Sequence, residues 1–232
     1  MKRAGIIGGI GPESTIEYYR LLVTLYREQT QDGSYPSLII NSIDMQRMRT
    51  AIERDQLPEV TEFLLEEIAR LVDAGADFGA LSANTPHIVF DALRQRSSIP
   101  LISIVEVACE AAAIRGLKRL GLLGTRFTMQ GRFFRDVFGR AGIALVVPAL
   151  AEQDYIHQKY MGELVNGRFL PATREGMLRI VRRLREQENI DGVILGGTEL
   201  PLLLRQEDEP GFLLLDTTRL HVARIVAEMI AP

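Results

Sequence analysis

Short apolar runs alternate with longer stretches in which apolar residues recur every three or four positions along the whole 232-residue chain. The runs read as buried strands and the periodic stretches as amphipathic helices. Residues 3–8 form an apolar run that breaks at Gly8, Gly9 and Gly11. Pro12 then suits the first turn of a helix of about 18 residues. Along that helix Ile16, Tyr19, Val23 and Tyr26 mark the face expected to be buried. A strand over 37–42 follows, then a helix carrying Val60, Leu64, Ile68, Leu71 and Val72 that Gly75 closes, then a strand at about 77–82. A helix near 86–95, a short strand at 100–103 and an alanine-rich helix at 106–114 complete this half. The order then recurs: strand 119–124, a turn at 125–128, helix 129–141, strand 143–148, helices 152–166 and 172–187, and strand 191–196. A strand at 212–216 and a helix at 217–230 end the chain.

The recurrence extends to the residues themselves. Lys2–Gly9 (KRAGIIGG) resembles Lys118–Thr125 (KRLGLLGT), 116 positions later, and SANTP at 82–86 has its counterpart in GGTELP at 196–201, with Ala83 and Gly197 separated by 114. Near-equal offsets predict an internal duplication. The expected fold is α/β: two similar three-layer domains, each a parallel sheet covered by helices, related by a pseudo-twofold axis, with the site in the cleft between them. Residues 1–105 together with 212–232 are expected to form the first domain and 106–211 the second, the last helix packing back onto the first half. In such folds ligands bind beyond the carboxyl ends of the strands, where the polar motifs of this chain lie.

Composition narrows the partner. A net charge of −3, with basic residues scattered along helices, gives no electrostatic footprint for nucleic acid. No apolar stretch approaches the length of a membrane span, and the GIIGGIGP run after Met1 is too short and glycine-rich for the core of a signal peptide. The single cysteine, Cys109, excludes an internal disulfide and a cysteine-based metal site, and fits a cytoplasmic setting. A small-molecule ligand is the expectation.

The glycine loop before the first helix does not match a dinucleotide fingerprint. Its spacing differs, Pro12 removes a donor, and the second strand ends in Asn41–Ser42 with no acid to hold a ribose. Helix N-termini and hydroxyls hold a carboxylate equally well, and Thr125 and Thr128 at the matching loop favour that smaller anion, or simply cap the next helix. Asn84, Thr85 and His87 follow one strand and Thr198 and Glu199 its counterpart. An amide, hydroxyls and two titratable groups form the set needed to orient an amino or hydroxy acid and to move a proton beside its carboxylate, although each motif is also a good turn and helix start. Arg47, Arg49 and Arg54 after the second strand, and Lys159 or Arg168 later, are candidates for a second carboxylate.

GGIGPESTIEYYRLL at 8–22, SANTPH at 82–87, LGTRFTM at 123–129, EQDYIHQKY at 152–160, LGGTELP at 195–201 and DTTRLH at 216–221 together resemble the aspartate/glutamate racemase family, over nearly the whole chain and in order. The resemblance implies two similar α/β domains, an acidic amino acid as substrate class, no cofactor, no metal and a homodimer. It also implies a two-base mechanism in which paired cysteines act on opposite faces of the α-carbon. The cysteine positions, directly before Asn-Thr and before Thr-Glu, hold Ala83 and Gly197 here. The binding frame of Asn84, Thr85, Thr125, Thr128 and Thr198 carries over; the acid/base pair does not.

Cys109 lies within an alanine-rich helical run and reads as a buried inert thiol. Three outcomes remain. Proton transfer passes to His87 from one wall and to Glu199 or Glu13 from the other, a carboxyl that gains basicity in an apolar cleft. Alternatively the fold performs a one-sided decarboxylation or lyase step, or the protein only binds a dicarboxylate or amino acid. His157 reads as a helix or domain-interface residue and His221 as a packing or capping residue.

Overall fold

Every strand pairs in parallel with its neighbours, so each connection is a crossover that carries a helix. The computed structural model describes residues 1–231. Two compact units divide the chain: Met1–Ile104 with the segment from Thr218 onward, and Val105–Thr217.

In the first unit β1 (Ala4–Gly8) leads into α1 (Pro12–Thr30), β2 (Leu38–Ser42), α2 (Met45–Glu53), α3 (Leu57–Asp73), β3 (Phe78–Leu81), a 3-10 turn (Thr85–Val89), α4 (Phe90–Arg96) and β4 (Leu101–Ile102). The sheet order is β2-β1-β3-β4. Central β1 and β3 are buried at every residue, as near-continuous apolar runs require. Gly9 and Gly11 take φ of +78° and +90°, a region open to glycine, and so turn the chain from β1 into α1.

The second unit begins within α5 (Ile104–Ile114) and continues through β5 (Arg119–Gly124), α6 (Arg126–Gln130), α7 (Arg132–Arg140), β6 (Ala144–Val146), α8 (Leu150–Gly162), α9 (Pro171–Glu188), β7 (Gly192–Gly196), α10 (Leu200–Leu203) and β8 (Leu213–Asp216). Its sheet order is β6-β5-β7-β8, which repeats the first sheet strand for strand. The expected duplication of architecture is thus observed: two similar α/β units, each a four-stranded parallel sheet with flanking helices. The final helix, α11 (Thr217–Ile230), returns to the first unit, where Val222, Ile225, Val226 and Met229 join Ala4, Ile6, Tyr18, Leu22 and Phe78 in one core.

Four expectations are corrected. On α1 the buried face is Ser14, Tyr18, Leu22, Leu25 and Tyr26, while Ile16 and Tyr19 are 61% and 55% exposed. The residues at 18, 22 and 25 form an equally good helical stripe, and contact with α11 selects it. The return to the first unit falls at Thr218 and not at residue 212, because β8 hydrogen-bonds to β7 from Gly192↔Leu213 to Leu195↔Asp216. Pro232, the last residue of the expected return segment, lies outside the described residues. The helix expected over 129–141 is two helices. Thr125 caps α6 by accepting the Thr128 N–H, and Gly131 is extended (φ −66°, ψ 158°), with Phe127 O only 2.5 Å from where its Cβ would stand. The helix expected over 152–166 ends at Gly162 and is followed by a separate 3-10 turn, Leu164–Asn166.

The α1 face gives a direct test. Leu22→Ala is expected to lower unfolding stability by about 2–5 kcal/mol, and Ile16→Ala to change it by less than about 0.5 kcal/mol. Urea melts of the two variants check this.

Candidate functional site

At the carboxyl ends of β1 and β3 a closed set of hydroxyls ties the loops together. Ser14 Oγ donates to Ser82 O (2.6 Å), Ser82 Oγ donates to Ile7 O (3.1 Å), and the Gly9 N–H donates to Thr15 Oγ1 (2.9 Å). Ser82 has spent its proton on Ile7, so Thr15 is the donor in the 3.4 Å contact between the two hydroxyls. Ala83 and Asn84 are buried beside this net, and Thr85 is partly buried at the start of the 3-10 turn. Glu13 stands partly buried in the first turn of α1, after the same glycine loop.

His87 is not available as an acid/base, contrary to expectation. Its Nδ1 bonds the Ala83 carbonyl (3.0 Å) and its Nε2 accepts the Ile104 N–H (3.3 Å), which fixes a neutral ring with the proton on Nδ1. The ring stacks on Phe90 at 4.7 Å between centroids, and burial pushes its pKa down to about 3. His221 is held the same way. Its Nε2–H donates to Ile102 O (3.0 Å), its Nδ1 accepts from Tyr18 Oη (2.7 Å), and burial lowers it to about 4.

In the second unit Thr125 Oγ1 lies 3.2 Å from Thr128 Oγ1, both buried after β5. The Arg126 N–H donates to Nδ1 of His157 (3.2 Å), so His157 serves the start of α6. After β7 come Gly197, Thr198 and Glu199. Thr198 and Glu199 are each 2% exposed. Glu199 Oε2 accepts from Tyr160 Oη and from Thr198 Oγ1, the latter at 3.2 Å. A carboxylate at such depth is costly unless donors surround it, and two hydroxyls do so here. The phenol of Tyr160 is in turn driven well above its ordinary value by burial and by the Glu199 charge.

The basic candidates stand on and after α2 and at the end of α8. Arg54 is exposed at the C-cap of α2. Arg47 covers the Phe63 ring at 4.4 Å, and Arg49 donates to Gln46 (2.7 Å). Lys159 pairs with Glu163 at 2.6 Å, and Arg168 is exposed. Cys109 is buried within α5, its thiol raised by burial, as its inert reading requires. Sequence reasoning missed Ser14, Thr15, Ser82 and Tyr160. The hydroxyl run just inside the first helix was the available signal for the first two.

A profile of the Asp/Glu/Hydantoin racemase family matches residues 7–225. The chain belongs to that family. Among curated relatives it is 25% identical over 166 residues to the broad specificity amino-acid racemase RacX of Bacillus subtilis (strain 168), covering 70% of this chain and 67% of that protein. Among solved structures it matches an aspartate racemase homologue from Pyrococcus horikoshii OT3 at 34% identity with a TM-score of 0.85, and a candidate Asp/Glu racemase from Yersinia pestis at 27% with 0.89, each over the full length of both chains. Within this racemase family fold, no helix among the described residues is long and apolar enough to cross a membrane.

The two buried histidines set an acid dependence. On unfolding each returns to its ordinary value of 6.5, so the unfolded chain takes up protons first as the pH falls. Their contribution is complete above about pH 6.5 and is lost as the pH drops towards 4, by up to about 1.4 kcal/mol per pH unit for each ring. Urea melts across that window are expected to show the fall. His221→Gln, less stable at neutral pH, is expected to show a flatter dependence.

Proposed function

We propose that the chain binds a small amino acid or dicarboxylate at the carboxyl ends of its sheets and moves a proton at the ligand's α-carbon without a cofactor. Glu199 is the principal acid/base group, Glu13 the group of the first unit, and Asn84, Thr85, Thr125, Thr128 and Thr198 the binding frame. The observation that carries this reading is the Glu199 carboxylate, buried just past β7 and held by two hydroxyls, in a chain of a racemase family. A buried, oriented carboxylate is suited to general base work, whereas a neutral histidine with both nitrogens engaged is not. RacX acts on amino acids broadly and the Pyrococcus relative is an aspartate racemase homologue. That supports aspartate, glutamate and other amino acids as the substrates to try first.

The loss of His87 from the acid/base set favours a second reading on the same chemistry, in which one strong group works from one side. Removal and return of the proton on a single face gives exchange with retention, or protonation after a decarboxylation or lyase step.

Proton NMR in D2O of L- and D-aspartate, glutamate and a wider amino-acid panel tests both readings. Loss of the α-proton signal is expected with the unaltered protein, and Glu199→Gln is expected to slow it by about a hundredfold or more. Exchange accompanied by appearance of the opposite enantiomer supports two-sided racemisation, and exchange without inversion the one-sided reaction. Ligands that raise the melting temperature yet never exchange would leave a binding protein in place of both.

A further inference from the structure

The ring of Tyr160 has no role in the reading above. Tyr160 lies in the last turn of α8, packed in the second unit's core with Ile156 and Leu164, and is 5% exposed. A Cβ built on Gly197 would stand 2.5 Å from its Cε2, 2.7 Å from its Oη and 2.9 Å from its Cζ. The phenol therefore fills the volume that any side chain at position 197 needs. That position directly follows β7, and carboxyl ends of parallel strands are where such sheets meet their ligands. The hydroxyl donates to Oε2 of Glu199, an oxygen that also accepts from Thr198.

We propose that Tyr160 is the proton-transfer residue of the second unit, with its phenol standing in the place of a side chain at position 197 and Glu199 receiving its proton. This rests on the proton-transfer reading given above and names a second group within it. In the forward step the α C–H bond breaks, its proton passes to Tyr160 Oη, and the Oη–H proton moves to Glu199 Oε2. The bonding electron pair stays on the substrate as a carbanion delocalised into its carboxylate. Tyr160 ends the step neutral and Glu199 protonated, and the reverse step restores both. Burial and the neighbouring carboxylate keep the phenol protonated at neutral pH, so it needs the carboxylate behind it in order to accept a proton. The close fit of the ring to Gly197 also means that a thiol at 197 and a tyrosine at 160 exclude one another.

The exchange assay tests this with Tyr160→Phe and with protein carrying 2,3,5-trifluorotyrosine at position 160, which keeps ring and hydroxyl but makes the phenol more acidic. Tyr160→Phe is expected to lower the saturated exchange rate at least tenfold with KM moved less than twofold. The fluorinated protein is expected to change the rate at least threefold at an unchanged melting temperature, a readout that packing alone does not move. A folded Tyr160→Phe protein that exchanges within twofold of the parent overturns the inference and leaves the proton-transfer reading standing. Should that variant not fold, an unmoved rate in the fluorinated protein overturns it in the same way. Absence of exchange in the unaltered protein overturns the reading and the inference together.

Discussion

A parallel strand buried on both faces has no room for a polar side chain along its length, and this constraint organises both units. Residues Ala4–Gly8 and Gly192–Gly196 are buried throughout, and their backbone groups are spent on neighbouring strands. Polar chemistry is displaced to the first residues past each strand, where the backbone leaves the sheet and a helix begins. Gly9, Ser82, Thr125 and Thr198 all occupy such positions.

The two units share one topology and differ in what stands at its end. In the first, the loops close on themselves through Ser14, Thr15 and Ser82, and His87 is locked between two backbone groups. The result is a set of loops whose serine and threonine hydroxyls and imidazole are engaged with the backbone or with one another. In the second, the equivalent loop after β7 carries a buried carboxylate with hydroxyl donors on one oxygen. Burying a charge stabilises a fold poorly compared with apolar packing, so the Glu199 charge adds little to the stability of this unit.

Histidine shows how burial decides role. His87, His157 and His221 each accept or donate at a backbone or tyrosine partner, and in the two fully enclosed cases the ring is held neutral far below its ordinary range. These imidazoles act as pegs that satisfy isolated polar groups, which an apolar residue at the same place cannot do.

The order of strands and helices, the duplicated architecture and the glycine loop were legible in the chain because each rests on local periodicity and on residues that permit a single backbone course. Strand 119–124 and helix 217–230 fall where the pattern puts them. What the sequence left open was decided by contacts between residues far apart in it. Two apolar stripes compete on α1, and the approach of α11 selects one. His87 looks titratable until Ile104 and Ala83 occupy both nitrogens. Tyr160 reads as one more core residue in the series Ile156, Tyr160, Leu164, and only packing across 37 residues to Gly197 brings its hydroxyl to Glu199. Periodicity records which side of a helix faces inward, whereas hydrogen bonding and exclusion of volume depend on which atoms meet there, and that is fixed only when the chain has folded.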